Sequence, residues 1–272
     1  MRLFGIGHLL FAIGLIGLGL LSLFSGDFAY SWQPVPGWVP WRETLAHLSA
    51  ALLIAGGIGI LIPRSAAPSA LAMTIFLFSW ALLLQVPLVV HDPGVEGTWL
   101  GLSENVISLC GGWILFASLA APHDKARMKL LTSANSLRVT KLLIGAACIG
   151  LGLSHFIYSS ITASMVPAWL PYRLGFAYLT GAGHIAAGLA LLFSAFPRLA
   201  ATMEAAMISV FVLLLHIPAA IAEPKSRLNW TMVFVATLFA GSMWNAAKSL
   251  QVLPWGWKRK LPQAATPQPL SN

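Results

Sequence analysis

Eight long apolar runs, nearly free of charge, leave this chain few folds to choose from. They extend roughly from Leu3 to Phe24, Thr44 to Ile62, Pro68 to Val90, Ser103 to Ala121, Val139 to Ser160, Leu174 to Phe193, Ala200 to Ile221 and Trp230 to Leu250. Each is near the ~20 residues that a membrane-spanning helix needs, and none alternates in the manner of a membrane barrel strand. A chain that is 58% hydrophobic and 9% charged, with a mean hydropathy of +0.80, cannot hide all its apolar surface in a water-soluble core. The expected class is therefore an all-α integral membrane protein with eight transmembrane helices, its main partner being the lipid bilayer. The first run is kept as a true helix rather than a signal peptide, because its apolar core is long and no Ala-x-Ala site follows it.

The runs fall into two sets of four. Val35-Pro-Gly-Trp-Val-Pro-Trp-Arg42 returns as Val166-Pro-Ala-Trp-Leu-Pro-Tyr-Arg173, an offset of 131 residues. Carried along without a gap, the offset pairs Gly14 with Gly145, Gly19 with Gly150, Gly57 with Gly188, Pro87 with Pro218, Trp99 with Trp230 and Trp113 with Trp244. Apolar bias makes helices look alike, but it does not align prolines and tryptophans. The expected organisation is a first four-helix repeat over 1–121, a basic cytoplasmic linker over 122–138, a second repeat over 139–250 and a disordered cytoplasmic tail over 251–272. An even number of helices per repeat makes the two repeats parallel.

Net charge +8 does not indicate nucleic acid here, because its distribution reports orientation. With the N-terminus inside, twelve of the 16 basic residues are cytoplasmic, among them Arg64, Lys125, Arg127, Lys129, Arg138, Arg198 and Lys258 to Lys260. The outer side receives Arg42, Arg173, Lys225 and Arg227, so both termini are expected in the cytoplasm. The outer loop from Ser25 to Glu43 is stiffened by Pro36 and Pro40. Its Trp32, Trp38 and Trp41 suit the headgroup boundary, and it reads either as a structural re-entrant or interfacial segment or as a lid over a cavity. In the lid reading, Arg42 and Arg173 offer charge to an anionic ligand.

No Walker loop, dinucleotide fingerprint, HExxH or Gly-x-Ser-x-Gly is present, so whether the chain is an enzyme stays open. Cys110 and Cys148 make no zinc pattern and read as packing residues, with a disulfide as the alternative. Glu104 reads as an acid favouring a helix N-terminus. His91, Asp92 and Glu96 are a weak metal grouping, and no metal ligand set is assigned. Pro87 and Pro218 each release a carbonyl four residues back, Leu83 or Leu214, which Gln85 or His216 can satisfy.

The asymmetry between the repeats carries the chemistry. His155, His184 and His216 stand in the second repeat where the ungapped match gives Phe24, Leu53 and Gln85, and Tyr158 shares the His155 face. Polar groups at membrane depth are costly unless they serve a partner or a cavity. The candidate ligand-binding residues are therefore His155, Tyr158, Arg173, His184 and His216. Each histidine can instead satisfy a local carbonyl or hydroxyl. If they converge, they could bind a quinone or lipid head, hold a haem through His155 and His216, or bind a metal.

Gly152-Leu-Ser-His155-Phe156, Val166-Pro-Ala-Trp-Leu-Pro171, Tyr178-Leu-Thr-Gly-Ala-Gly-His184-Ile-Ala-Ala-Gly188, Arg198-Leu-Ala-Ala201 and Pro218 together resemble the DoxX family of small four-helix membrane proteins. The chain looks like two such units fused. The resemblance implies a bacterial cell inner membrane protein and, from some members, a membrane subunit that binds a quinone or small molecule for a redox system with a partner subunit. The alternative is a non-catalytic transporter, lipid-binding protein or assembly factor.

Overall fold

The computed structural model describes residues 5–250, and every regular element among them is helical. The long helices are α1 (Ile6–Ser25), α2 (Arg42–Leu61), α3 (Ala66–His91), α4 (Glu96–Leu119), α5 (Ala134–Ile157), α6 (Arg173–Leu192), α7 (Pro197–Ala222) and α8 (Arg227–Ser249). Seven of them, α1 to α7, are long and apolar enough to cross a membrane. The last expected run, from Trp230, does form the long helix α8, but Asn229, Thr231, Thr237, Ser242 and Asn245 make it more polar. It is tolerated inside the bundle because Thr237 and Ser242 donate their hydroxyls to carbonyls one turn back, Val233 and Leu238. Leu52, Ile75, Leu82, Leu83 and Leu213 are all exposed on outward faces of α2, α3 and α7, an apolar belt that suits lipid and not water.

Helices α4 and α8 pack on each other; α1 packs on α8 and α2, α5 packs on α4 and α6, and α3 and α7 lie against α4 and α8 respectively. Small residues permit these approaches. A Cβ on Gly188 would lie 2.6 Å from the Gly145 carbonyl oxygen, and one on Gly57 would lie 2.9 Å from that of Ala12.

Geometry repeats along the chain in detail. Trp41 and Tyr172, the residues before α2 and α6, both adopt left-handed backbone. Trp99 Nε1 donates to the Pro93 carbonyl at 2.9 Å and Trp230 Nε1 to that of Pro224 at 3.0 Å. Ala81–Gln85 in α3 and Val212–His216 in α7 are π-helical turns placed just before Pro87 and Pro218. Such a turn widens the helix ahead of the proline. Gln85 does not serve the Leu83 carbonyl, as expected from sequence; its Nε2 donates to the Trp32 carbonyl at 3.4 Å.

The offset of 131 fails in one place, the first helix of each half. Gly19 meets the Ala50 carbonyl and Ile54, whereas Gly152, not Gly150, meets the corresponding Gly181 carbonyl and Ile185. Likewise Gly188 meets the Gly145 carbonyl and Ile149, as Gly57 meets the Ala12 carbonyl and Ile16. The loop after α1 is therefore two residues longer than the one after α5, Gly145 matches Ala12 rather than Gly14, and the counterpart of His155 is the buried Ser22, not Phe24.

Three other expectations are corrected. The linker is largely helical, with Pro122–Arg127 and Lys129–Thr132 preceding α5, which starts at Ala134. The helix carrying Glu104 starts at Glu96, so Glu104 sits two turns inside and the dipole no longer explains it. Trp32 is not interfacial but 3% exposed, while Trp38 and Trp41 remain exposed. Among the described residues no group of three His, Cys, Asp or Glu is placed to hold a metal, so His91, Asp92 and Glu96 do not gather as one. Cys110 and Cys148 are buried free thiols. The expected tail, 251–272, lies outside the described residues.

Candidate functional site

A cavity of about 1230 Å³ lies in the second half of the chain. Its walls are α5, the short helix Ser159–Met165, the segment from Val166 to Leu170, α6 and α7, with Leu100 and Glu104 contributed by α4 and Met232 by α8. The repeated Pro-Trp segment thus forms part of a cavity wall in its second occurrence. Most of the lining is aliphatic or aromatic. The polar side chains on it are Glu104, Ser154, His155, Tyr158, Thr162, Thr180, Glu204 and His216. Leu179 of α6 and Met203 of α7 line the cavity yet are 66% and 61% exposed, so it opens between those two helices.

Several of these polar groups have a local reason for their place. His155 ends α5, and its Nδ1 donates to the Thr180 hydroxyl at 2.9 Å; that hydroxyl donates in turn to the Phe176 carbonyl at 2.9 Å. With the Thr180 hydroxyl given to a carbonyl, Nδ1 carries the proton and Nε2 is left as the acceptor. The His155 ring meets the His184 ring edge-on at 4.9 Å between centroids and stacks on Phe211 at 6.2 Å.

His184 is 3% exposed, and its Nδ1 donates to Glu204 Oε1 at 2.5 Å. Glu204, 1% exposed, is a carboxylate in the middle of an apolar helix, and the Cys148 thiol lies beside it. Such a group persists in a low-dielectric interior only when paired, and His184 is the partner. The matching positions of the first half, Leu53 and Met73, are both buried and apolar.

The Tyr158 hydroxyl accepts the Gly97 N–H at 3.1 Å, tying the α5 end to the start of α4. His216 lines the cavity at 7% exposure and makes no hydrogen bond to any described residue. The expectation that it serves the Leu214 carbonyl is therefore not met. Arg173 is exposed at the start of α6 and does not line the cavity; its first-half counterpart, Arg42, is occupied by Asp27 at 2.8 Å and by the Val35 carbonyl. Of the five residues singled out from sequence, the structure gathers His155, Tyr158 and His216 on the cavity, places His184 against them through His155 and Glu204, and leaves Arg173 out.

Glu204, Glu104 and Phe211 also line the cavity and were not among the candidate site residues. Glu204 carried a readable signal, a lone acid inside the run from Ala200 to Ile221. Phe211 carried none, since one more aromatic residue in an apolar helix is ordinary.

Residues 144–240 match the model of a family described as a domain of unknown function (DUF8561), a stretch that runs from α5 into α8 and contains most of the cavity lining. No curated protein and no solved structure matches the chain.

Proposed function

We propose that this chain is a multi-pass protein of a bacterial inner membrane, both termini cytoplasmic, built from two fused DoxX-like four-helix units. α8 counts as the eighth span. In this reading the second unit binds a quinone or a similar small apolar molecule on behalf of a redox system. The observation that carries it is the cavity: about 1230 Å³ of mostly apolar lining, with His155, Tyr158 and His216 on its wall. Small-molecule sites combine an apolar enclosure with a few placed polar groups, and this cavity has both. The opening between α6 and α7 gives a lipid-soluble ligand a route from the bilayer without crossing water. Repeated geometry at the π-turns, the Trp99 and Trp230 hydrogen bonds and the helix starts supports the two-unit organisation.

The same opening supports the second reading, a non-catalytic lipid-binding or transport protein. Solvent extraction of the full chain purified from native membranes separates the two. A quinone recovered near one per protein supports the first reading, whereas phospholipid alone, with no quinone and no partner-dependent quinone reduction, supports the second.

A further inference from the structure

The first half shows what the second half's cavity is shaped to receive. There the outer loop turns inward and buries Trp32 and Gln33, each 3% exposed. Three of their contacts fall on positions whose second-half counterparts line the cavity. Gln33 Nε2 donates to the Ser49 hydroxyl at 2.8 Å, and Ser49 matches Thr180. The Trp32 ring meets Trp80 edge-on at 5.4 Å, and Trp80 matches Phe211. The Trp32 carbonyl accepts from Gln85 Nε2, and Gln85 matches His216.

In the second half, His155 has taken over the task of Gln33, donating to Thr180. The His155 and His184 rings already meet Phe211 from one side, at 6.2 and 6.0 Å, but the acceptor that Trp32 offers to Gln85 has no counterpart at His216. Phe211 faces the cavity, and His216, more than nine-tenths buried, has a ring N–H with no described residue to receive it. A buried polar group without a partner is costly, and a ligand acceptor would remove that cost.

We infer that the cavity binds a flat ring bearing a ring carbonyl, the ring against Phe211 and the carbonyl accepting a hydrogen bond from His216, in the place that the first half fills with its own Trp32. The inference rests on the proposed ligand-binding reading and narrows it. A quinone head meets the requirement through its conjugated ring and carbonyl oxygens. A phospholipid ester offers a carbonyl but no ring to lie on Phe211.

The test is binding to the full-length protein in nanodiscs, read as ligand-dependent thermal stabilisation across a titration. Decylubiquinone is the ring-carbonyl probe, decylbenzene has the same tail and a ring without carbonyls, and a short-chain phosphatidylcholine supplies the ester. Wild type is expected to bind decylubiquinone at least roughly ten-fold more tightly than decylbenzene, the worth of one good hydrogen bond. His216→Gln, which installs the first-half donor, should stay within about three-fold of wild type, whereas His216→Leu should lose about ten-fold for decylubiquinone and nothing for decylbenzene. The comparison of ligands on wild type stands even if His216→Leu does not fold. Equal binding of decylubiquinone and decylbenzene, or unchanged decylubiquinone binding in His216→Leu, overturns the carbonyl contact and leaves the apolar-ligand reading standing. Preference for phosphatidylcholine over both ring probes overturns the ring-carbonyl assignment in favour of a lipid. Binding of none of the three overturns the ligand reading itself.

Discussion

The pairing of His184 with Glu204 predicts a specific coupling. His184→Leu installs the residue that the first half has at Leu53, but it strips the partner from a carboxylate that is 1% exposed. Leaving a buried carboxyl group without its hydrogen-bond partner costs about 1–3 kcal/mol. Glu204→Met, which copies Met73, leaves the buried imidazole N–H without an acceptor, at about 1–3 kcal/mol. The double variant restores an apolar pair that the first half already packs, so it should lie within about 1 kcal/mol of wild type. Inside a bilayer the unfolded chain also finds polar partners, which reduces all such values. Even so, the two single costs should exceed the double cost by about 1 kcal/mol or more. Reversible unfolding of the four proteins in mixed micelles measures this cycle. Additive effects, meaning a coupling below about 0.5 kcal/mol, would show that the two residues do not act as a unit.

Three further outcomes follow from other parts of the structure. Trp32→Ala should destabilise the protein by about 3–5 kcal/mol, the cost of a large core truncation, and should open the first half to an apolar ligand; an unchanged melting temperature would show that Trp32 fills nothing. Gly188→Leu drives a side chain into the Gly145 carbonyl, 2.6 Å from its would-be Cβ, and should cost about 1–3 kcal/mol or more, while Gly94→Leu, with open space around it, should cost little. A cysteine at Gly37, where a Cβ meets nothing within 4 Å, should react with an impermeant maleimide from the outer face; reaction only from the cytoplasmic face would reverse the topology drawn from the charges.

The helical, membrane-type class was legible in the sequence because seven of the apolar runs are long enough to act as independent signals. α8 was legible as a helix but less so as a span, since its Asn, Ser and Thr residues lower its apolarity, and only the surrounding bundle shows how they are accommodated. The repeated Pro-Trp segment carried the correspondence between halves, but an ungapped match could not show that the loop after α1 is two residues longer, and so it set Phe24 against His155 where Ser22 belongs. The histidines stood out because polar residues are scarce in such runs. Their partners did not: Thr180 and Glu204 are ordinary residues until α6 and α7 bring them within reach. Trp32 misled for a physical reason, since an outer-loop tryptophan is as much at home in the headgroups as in a cavity, and only the inward turn of the loop decides between them.

Photolabelling with an azido-quinone, followed by peptide mapping of the full-length protein, locates a bound ring directly. Labels are expected on the cavity wall of the second half, around His155, the short helix Ser159–Met165, Phe211 and His216, and none on the matching first-half positions Ser49, Trp80 and Gln85, which Trp32 and Gln33 already occupy. Labels shared evenly between the halves, or confined to the outward lipid-facing surface, would contradict a ring site in the second half.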